Sequence, residues 1–484
     1  MLNNLKLLYT KYENLSLVKK ATLWFLLCSI IQKCISVLST PIFTRLLSEE
    51  QYGQYSLYLS WIQIITIFTV LKLDCGVFNK GMSKYDDRET FTATMQSIVV
   101  VLNSIGLIIY LIFRNFINSI TELSTLEMVC IFIQIYFQSA IAFWSIKERY
   151  NYRYKSVVFA TILMSILNIG LGIILVLISD EKGFARIVSC VVAYVCVGTC
   201  IFFVNYRKAR KMFDVEQAKY SLKFNLPLIP HYLSTYILEQ SDRIMIQKLV
   251  GFAATGLYSV AYSAGMVLKL VTESFNNAFI PWQYQMLQKG KYKEIDETIS
   301  KLMYIITAIL VLFMFFAPEC MRILASPEYY EAVYVIPPVA GSILFLFIYG
   351  MYGNAEFFYE ENKFIFIISL LGAIVNIGTN YIFIKIFGYV AAGYTTFVCY
   401  MIFSYGHLIF VNHVSTNRTG EKIFSAKPLN VCTTILICAC VGASILYNKR
   451  ISIRYIILAI FGIAIFIKRK TIIDVFKNIN KARK

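Results

Sequence analysis

Six stretches of this chain, 91–113, 156–179, 187–206, 332–355, 364–384 and 428–448, contain no Asp, Glu, Lys or Arg. Each is long enough to cross a bilayer, because about 30 Å of hydrocarbon is traversed at roughly 1.5 Å per helical residue. Extended through the weaker segments between them, the pattern predicts fourteen spans. They cover 21–44, 54–75, 91–113, 128–146, 156–179, 187–206, 224–248, 253–275, 302–318, 332–353, 364–384, 389–411, 429–447 and 451–467. The last is short and carries Arg454 near one end, from where it is expected to snorkel to the interface. The first is too long for the apolar core of a signal peptide and is expected to be retained. The fold class is an all-α polytopic membrane protein.

Composition agrees. The 484 residues are 58% apolar and 15% charged, whereas soluble globular chains are about a quarter charged. Basic residues sort by loop. With the N-terminus in the cytoplasm, 32 of the 46 Lys and Arg fall in segments on that side, 10 on the other, counting Lys248 and Arg454 at span ends, and 4 deeper inside spans. Positive charge is retained on the cytoplasmic side, so both termini are predicted there. The net charge of +18 is accounted for by this bias and by attraction to anionic lipid, without nucleic acid.

Twelve Cys are scattered along the chain, nearly all within spans, where most are expected to act as small apolar groups rather than disulfide partners. The three His have no metal-ligand spacing, and His407 and His413 at a span end read as structural. No phosphate-binding G-x-x-x-x-G-K-[ST] loop is present, so the chain carries no ATPase of its own.

An internal repeat organises the spans. RLLSEEQYGQYSLYLS (45–60) aligns with KLVGFAATGLYSVAYS (248–263) at a shift of 203, bringing Gly53, Tyr55, Ser56 and Ser60 onto Gly256, Tyr258, Ser259 and Ser263. ILNIG (166–170) aligns with IVNIG (374–378) at a shift of 208. Spans 1–6 and 7–12 thus read as two copies of one six-helix unit in the same orientation, with a site expected at their interface. The predicted domains are 1–206, a cytoplasmic linker at 207–223, a second lobe at 224–411, and 412–484 with the last two spans and a basic tail.

Charges inside the spans carry the candidate chemistry, because each costs about 2.5–3.5 kcal/mol at mid-bilayer and must meet a partner or a cavity. They are Lys33, Lys72, Asp74, Glu239, Asp242, Arg243, Lys269 and Glu273. Glu239 and Arg243 stand four apart, as do Lys269 and Glu273, so self-neutralising pairs are one reading. The other is a water-filled cavity in which Lys33, Lys72, Arg243 and Lys269 from both halves meet an anionic head group such as a diphosphate. Lys33 has no acid within helical reach on its own helix. Pro41, Pro227 and Pro230 sit at the end of span 1 and the start of span 7, as hinges of a carrier or as simple helix ends.

TPIFTRLLSEEQYGQYSLYLSW (40–61), FNLPLIPHYLSTYILEQSDRIMIQ (224–247) and VNIGTNYIFIKIFGYVAAGYTT (375–396) resemble the first-to-second, seventh and eleventh-to-twelfth helices of polysaccharide flippases of the O-antigen, Wzx-like type. The resemblance spans nearly the whole chain. It implies the multidrug/oligosaccharidyl-lipid/polysaccharide (MOP) exporter superfamily, with MATE-like six-helix lobes and often two further helices. It further implies a bacterial inner-membrane carrier of undecaprenyl-diphosphate-linked oligosaccharide, acting with a polysaccharide polymerase and a chain-length regulator and performing no chemistry on its cargo. Cavities in relatives are cationic, which suits the four basic residues, with Asp74, Glu239, Asp242 and Glu273 as their pairs or as carriers of coupling protons. Arg45 would belong to a periplasmic gate. No cofactor or metal is implied, and a coupling H+ or Na+ stays open.

Three rival readings share some of these features. A MATE-type drug or cation antiporter should favour acids over bases, whereas four of each lie within the spans here. A flippase for lipid-linked peptidoglycan precursor differs chiefly in cargo. An O-antigen polymerase or ligase should show a large periplasmic loop, and every loop here is short.

Overall fold

Polar residues just outside the apolar runs start the helices. Ser48 accepts from the Gln51 amide while the Gln51 side chain accepts from the Ser48 amide, a reciprocal cap that opens helix Glu49–Thr69. Ser124 and Glu127 do the same for helix Thr125–Tyr150. Asp87 caps helix Arg88–Ile112 by accepting from the Thr90 amide at 3.0 Å. Within a bilayer the remaining backbone groups have no water to turn to, so the apolar runs satisfy them internally as helices. The computed structural model describes residues 16–360, 362–449 and 451–467. Its regular elements, among the described residues, are all helical.

The predicted spans all overlap helical segments, with 3₁₀ turns at Leu226–Leu228 and Met266–Leu268 interrupting the seventh and eighth. Among the described residues, eleven helices are long and apolar enough to cross a membrane, including Leu17–Leu46, Arg88–Ile112, Lys182–Arg207 and Val390–Thr419. The three outside that set are Glu49–Thr69, Ile229–Leu249 with its four charges, and the 17-residue Ile451–Ile467. The chain is a multi-pass membrane protein.

The chain divides into two compact units, Met1–Tyr236 and Ile237–Lys484, with the boundary inside helix Ile229–Leu249. Within the first, Lys182–Arg207 packs on both Thr125–Tyr150 and Tyr154–Ile178, and Arg88–Ile112 packs on Thr125–Tyr150. Within the second, Val390–Thr419 packs on both Ile336–Phe358 and Asn362–Phe387, and Tyr292–Phe315 packs on Ile336–Phe358. Counted in spans, the pairs 4–6, 5–6 and 3–4 recur as 10–12, 11–12 and 9–10. The repeat read from short sequence matches is therefore also a repeat of packing.

Helix Tyr154–Ile178 buries few residues and exposes Phe159, Ile166, Ile174 and Ile178, which is ordinary for a helix whose outer face meets lipid tails. Helix Ala426–Lys449 lies against Tyr292–Phe315, where the Tyr447 hydroxyl donates to the Met314 carbonyl at 2.6 Å. Arg454 does not snorkel. It is buried and paired with Glu319, because a carboxylate within reach neutralises it at less cost than stretching to the interface.

Candidate functional site

Helix Ile229–Leu249 follows a single 3₁₀ turn, Leu226–Leu228. Pro227 sits in that turn and Pro230 at the second position of the helix, where a missing amide N–H breaks no helical bond. The helix then delivers Glu239, Asp242 and Arg243. The Lys269 ammonium donates to Glu239 Oε1 at 3.1 Å and stands 3.9 Å from Glu273 Oε1. Lys269 is the first residue of helix Lys269–Gln288, after a 3₁₀ turn at Met266–Leu268.

The expected pairing of Glu239 with Arg243 on one helix face does not form. Arg243 Nη1 instead donates to the Glu239 carbonyl at 3.1 Å and to Gln240 Oε1 at 3.4 Å, with its guanidinium 4.5 Å from the Tyr262 ring centre. Helical side chains lean toward the N-terminus, which points the arginine fork at that carbonyl. The aromatic face then takes the cation, leaving the Glu239 carboxylate to Lys269. Lys269 and Glu273 do pair, as their spacing predicts.

Asp242 lies elsewhere than its neighbours. It is buried, and no cation stands within ion-pair distance among the described residues. Its carboxylate accepts from the Tyr258 hydroxyl at 2.5 Å, the Asn380 amide at 2.6 Å and the Thr396 hydroxyl at 2.9 Å. Thr395 donates to Asn380 Oδ1, and Ser241 to Asn376 Oδ1 at 2.9 Å, so the Asn side chains are oriented in turn. Every one of these partners donates toward the acid, so its two oxygens are satisfied by hydrogen bonds rather than by a counter-ion.

In the first unit, Lys72 and Asp74 lie not in the second span but in the turn after helix Glu49–Thr69. Leu71 and Lys72 both take φ of 52°, a left-handed conformation that ends the helix. Lys72 is buried and donates to the Tyr236 hydroxyl at 2.6 Å, while Asp74 accepts from Cys75 Sγ at 3.8 Å. Pro41 is inside helix Leu17–Leu46 rather than at its end. Arg45 also belongs to that helix rather than to a loop, and donates to the Pro41 carbonyl at 2.7 Å. The Lys33 side chain lies outside the described residues.

The model of the family described as polysaccharide biosynthesis protein matches residues 18–287, more than half of the chain. The chain belongs to that family. A protein of the Lsg locus of Haemophilus influenzae is 23% identical over 380 residues, covering 75% of this chain and 90% of its own. An uncharacterized membrane protein of the same organism is equally similar over 75% of this chain and 89% of its own. The lipid II flippase MurJ, in an inward closed conformation, superposes with a TM-score of 0.65 at 15% identity, over 93% of this chain and 99% of its own. An inward-facing MATE multidrug transporter of the MOP superfamily gives 0.58 at 14% identity, over 82% and 99%. These likenesses establish the fold, a MurJ- and MATE-like one, as the flippase resemblance implied.

Some polar groups of this polysaccharide biosynthesis family member were not legible as candidates. Arg186, assigned by span prediction to an outer loop, is in helix Lys182–Arg207 and is buried. Its guanidinium donates to Asn168 Oδ1 at 2.7 Å, Ser189 Oγ at 3.0 Å and the Tyr55 hydroxyl at 3.3 Å, and stacks 4.0 Å from the Phe43 ring centre. Gly172 makes room for this stack, since a Cβ there would meet Phe43 Cζ at 2.6 Å. The signal available in the sequence was the charge-free continuation after Arg186, which places it within a helical turn of the bilayer.

Lys147 with Glu89 at 2.5 Å, and His407 with Glu356 at 2.8 Å, are further pairs that join residues far apart in the chain. No group of three or more His, Cys, Asp or Glu comes together as a metal site among the described residues.

Proposed function

We propose that this protein is an inner-membrane flippase that moves an undecaprenyl-diphosphate-linked oligosaccharide from the cytoplasmic to the periplasmic leaflet by alternating access. Lys33, Lys72, Arg243 and Lys269 contact the diphosphate. Glu239 and Glu273 neutralise Lys269 when cargo is absent, and Asp74 and Asp242 carry a coupling proton. The observation that carries the reading is the half-buried Lys269, held between Glu239 and Glu273 within a family of polysaccharide biosynthesis proteins. A cation gripped by two carboxylates can exchange them for phosphate oxygens, an equally charge-assisted set of bonds, without being left bare in a low dielectric. Both termini lie in the cytoplasm on this reading, and a polymerase and a chain-length regulator act on the product.

Complementation in a host lacking its own polysaccharide flippase tests it, scoring surface polymer at matched membrane abundance. Wild type restores polymer, and Lys72→Ala and Lys269→Ala each lower it by about tenfold or more, the cost of roughly one charge-assisted bond in a buried site. A well-inserted wild type that restores nothing overturns the reading.

A further inference from the structure

The two units build corresponding polar frames around opposite charges. At the repeat shift of 203, Tyr55 and Ser39 stand where Tyr258 and Asp242 stand, and at 208 Asn168 stands where Asn376 does. At the intermediate shift of 207, Ser189 matches Thr396 and Arg186 matches Gly393. In the second unit the frame is closed by its own carboxylate, Asp242. In the first the tyrosine, the asparagine and the hydroxyl are retained, the acid is replaced by Ser39, and a cation, Arg186, is added.

Arg186 is 4% exposed and has no carboxylate within ion-pair distance among the described residues. Its Nε is buried without a hydrogen-bond partner. A buried charge without a counter-ion is costly, and stacking on Phe43 and Tyr55 with hydrogen bonds to Asn168, Ser189 and Tyr55 offsets that only in part. The same residue lines a pocket of about 420 Å³ with Gln32, Ser39, Ser165, Asn168 and Tyr194.

We infer that this pocket binds an acidic monosaccharide, its carboxylate on Arg186 and its hydroxyls on the amide and hydroxyl groups around it. The charge selects a carboxylate over a phosphate dianion, because one guanidinium balances one negative charge. The geometry offers the lateral edge of the fork: Nε–H is unused, and the neighbouring Nη bond to Tyr55 is long at 3.3 Å and easily exchanged. The Tyr55 hydroxyl, once released, donates to the incoming carboxylate as Tyr258 donates to Asp242. The pocket is larger than a carboxylate alone requires, and its remaining walls carry the side-chain amides, hydroxyls and tyrosine faces that hydroxylated rings need. This rests on the reading of the chain as a saccharide carrier and names a class of sugar in its cargo.

The test is titration of the purified full-length protein in detergent with glucuronate, glucose and inorganic phosphate, followed by calorimetry. Glucuronate should bind at least about tenfold more tightly than glucose or phosphate, the factor expected of one charge-assisted contact. Arg186→Gln should abolish that preference. Gln32→Trp, which blocks the exposed side of the pocket without touching Arg186, should weaken glucuronate about tenfold and keeps the test open if Arg186→Gln fails to fold. Equal binding of glucose removes the carboxylate from the proposal, equal binding of phosphate removes the sugar, and no binding of glucuronate overturns it. Polymer rescue by a wild type that does not bind glucuronate sinks this inference alone. Glucuronate binding by a wild type that rescues nothing leaves the pocket and sinks the flippase.

Discussion

Tyr55 and Tyr258 occupy equivalent positions 203 residues apart and face opposite charges. The Tyr55 hydroxyl accepts from the Arg186 guanidinium at 3.3 Å, while the Tyr258 hydroxyl donates to the Asp242 carboxylate at 2.5 Å. A phenol can do either, since its oxygen accepts and its proton donates. The repeat could therefore keep the tyrosine while the charge beside it changed sign.

The two tyrosines should differ in what their hydroxyls contribute. Tyr258→Phe removes a short bond to a buried charge and is expected to cost about 1.5–3 kcal/mol. Tyr55→Phe removes a long one and should cost about 1 kcal/mol or less. Melting temperatures of the two variants in one detergent give the comparison, and a larger loss at Tyr55 would contradict it.

Asp242→Asn is the sharpest substitution in the second unit. Three donors converge on that carboxylate, so an amide must turn its own NH₂ toward one of them. The mismatch leaves a buried donor unpaired and should cost about 1–3 kcal/mol. Thermal unfolding and polymer rescue should both fall; unchanged stability would mean that the network does not depend on the charge.

Glu239 and Lys269 should tolerate exchange better than removal. Both are about one-third exposed, so their pair contributes on the order of 1 kcal/mol after screening by water. Lys269→Glu alone puts three acids together and should abolish polymer rescue. Combining it with Glu239→Lys should restore insertion and stability but not transport, if Lys269 meets the cargo as proposed. Full rescue by the exchanged pair would assign it a purely structural role.

Lys147 is fully buried and its charge is answered by Glu89 at 2.5 Å. Glu89→Ala leaves the buried Lys147 charge uncompensated and should cost about 3 kcal/mol or more, whereas Lys147→Ala leaves the partly exposed Glu89 within reach of water and should cost less. Lys147→Met with Glu89→Leu removes both charges and is expected to be near neutral. The double-mutant comparison is read from unfolding midpoints.

Asp87 lies outside the spans. Burial alone would raise its pKa, but hydrogen bonds from the Thr90 amide and hydroxyl, with the charge of Arg210, outweigh burial and hold it below the usual aspartate range. A depressed folded-state value means that the stabilisation is present above the ordinary pKa of about 3.9 and is lost as pH falls through the folded value. Asp87→Asn keeps a capping side chain but should flatten the loss of stability between about pH 5 and pH 2. An unchanged acid limb in that variant would assign the loss to other carboxylates.

Much of the site could be read from residues one at a time. Glu239, Asp242, Arg243 and Lys269 drew attention because they are charged inside apolar segments, and all four make specific contacts. Which contacts they make was not readable. Spacing along one helix suggested Glu239 with Arg243, and the structure joins Glu239 to Lys269, 30 residues away. Lys72 and Asp74 were placed in a span because their neighbours are apolar, yet two residues with positive φ end the helix before them. Arg186 went unnoticed because it falls beside Lys182 in a segment that reads as a loop edge.

By itself the sequence determined the membrane class, the position of the helices, the repeat and the residues too costly to leave in lipid. Transfer of a helix from water to a bilayer is a sum over consecutive residues, so a local reading captures it. Only the tertiary structure decided which charge meets which partner, and whether a repeat position holds an acid or a cation with no acid beside it. Those outcomes depend on how each helix is rotated against its neighbours, which brings Tyr55 to Arg186 across 131 residues and Asp242 to Asn380 across 138. No periodicity within one segment encodes that rotation.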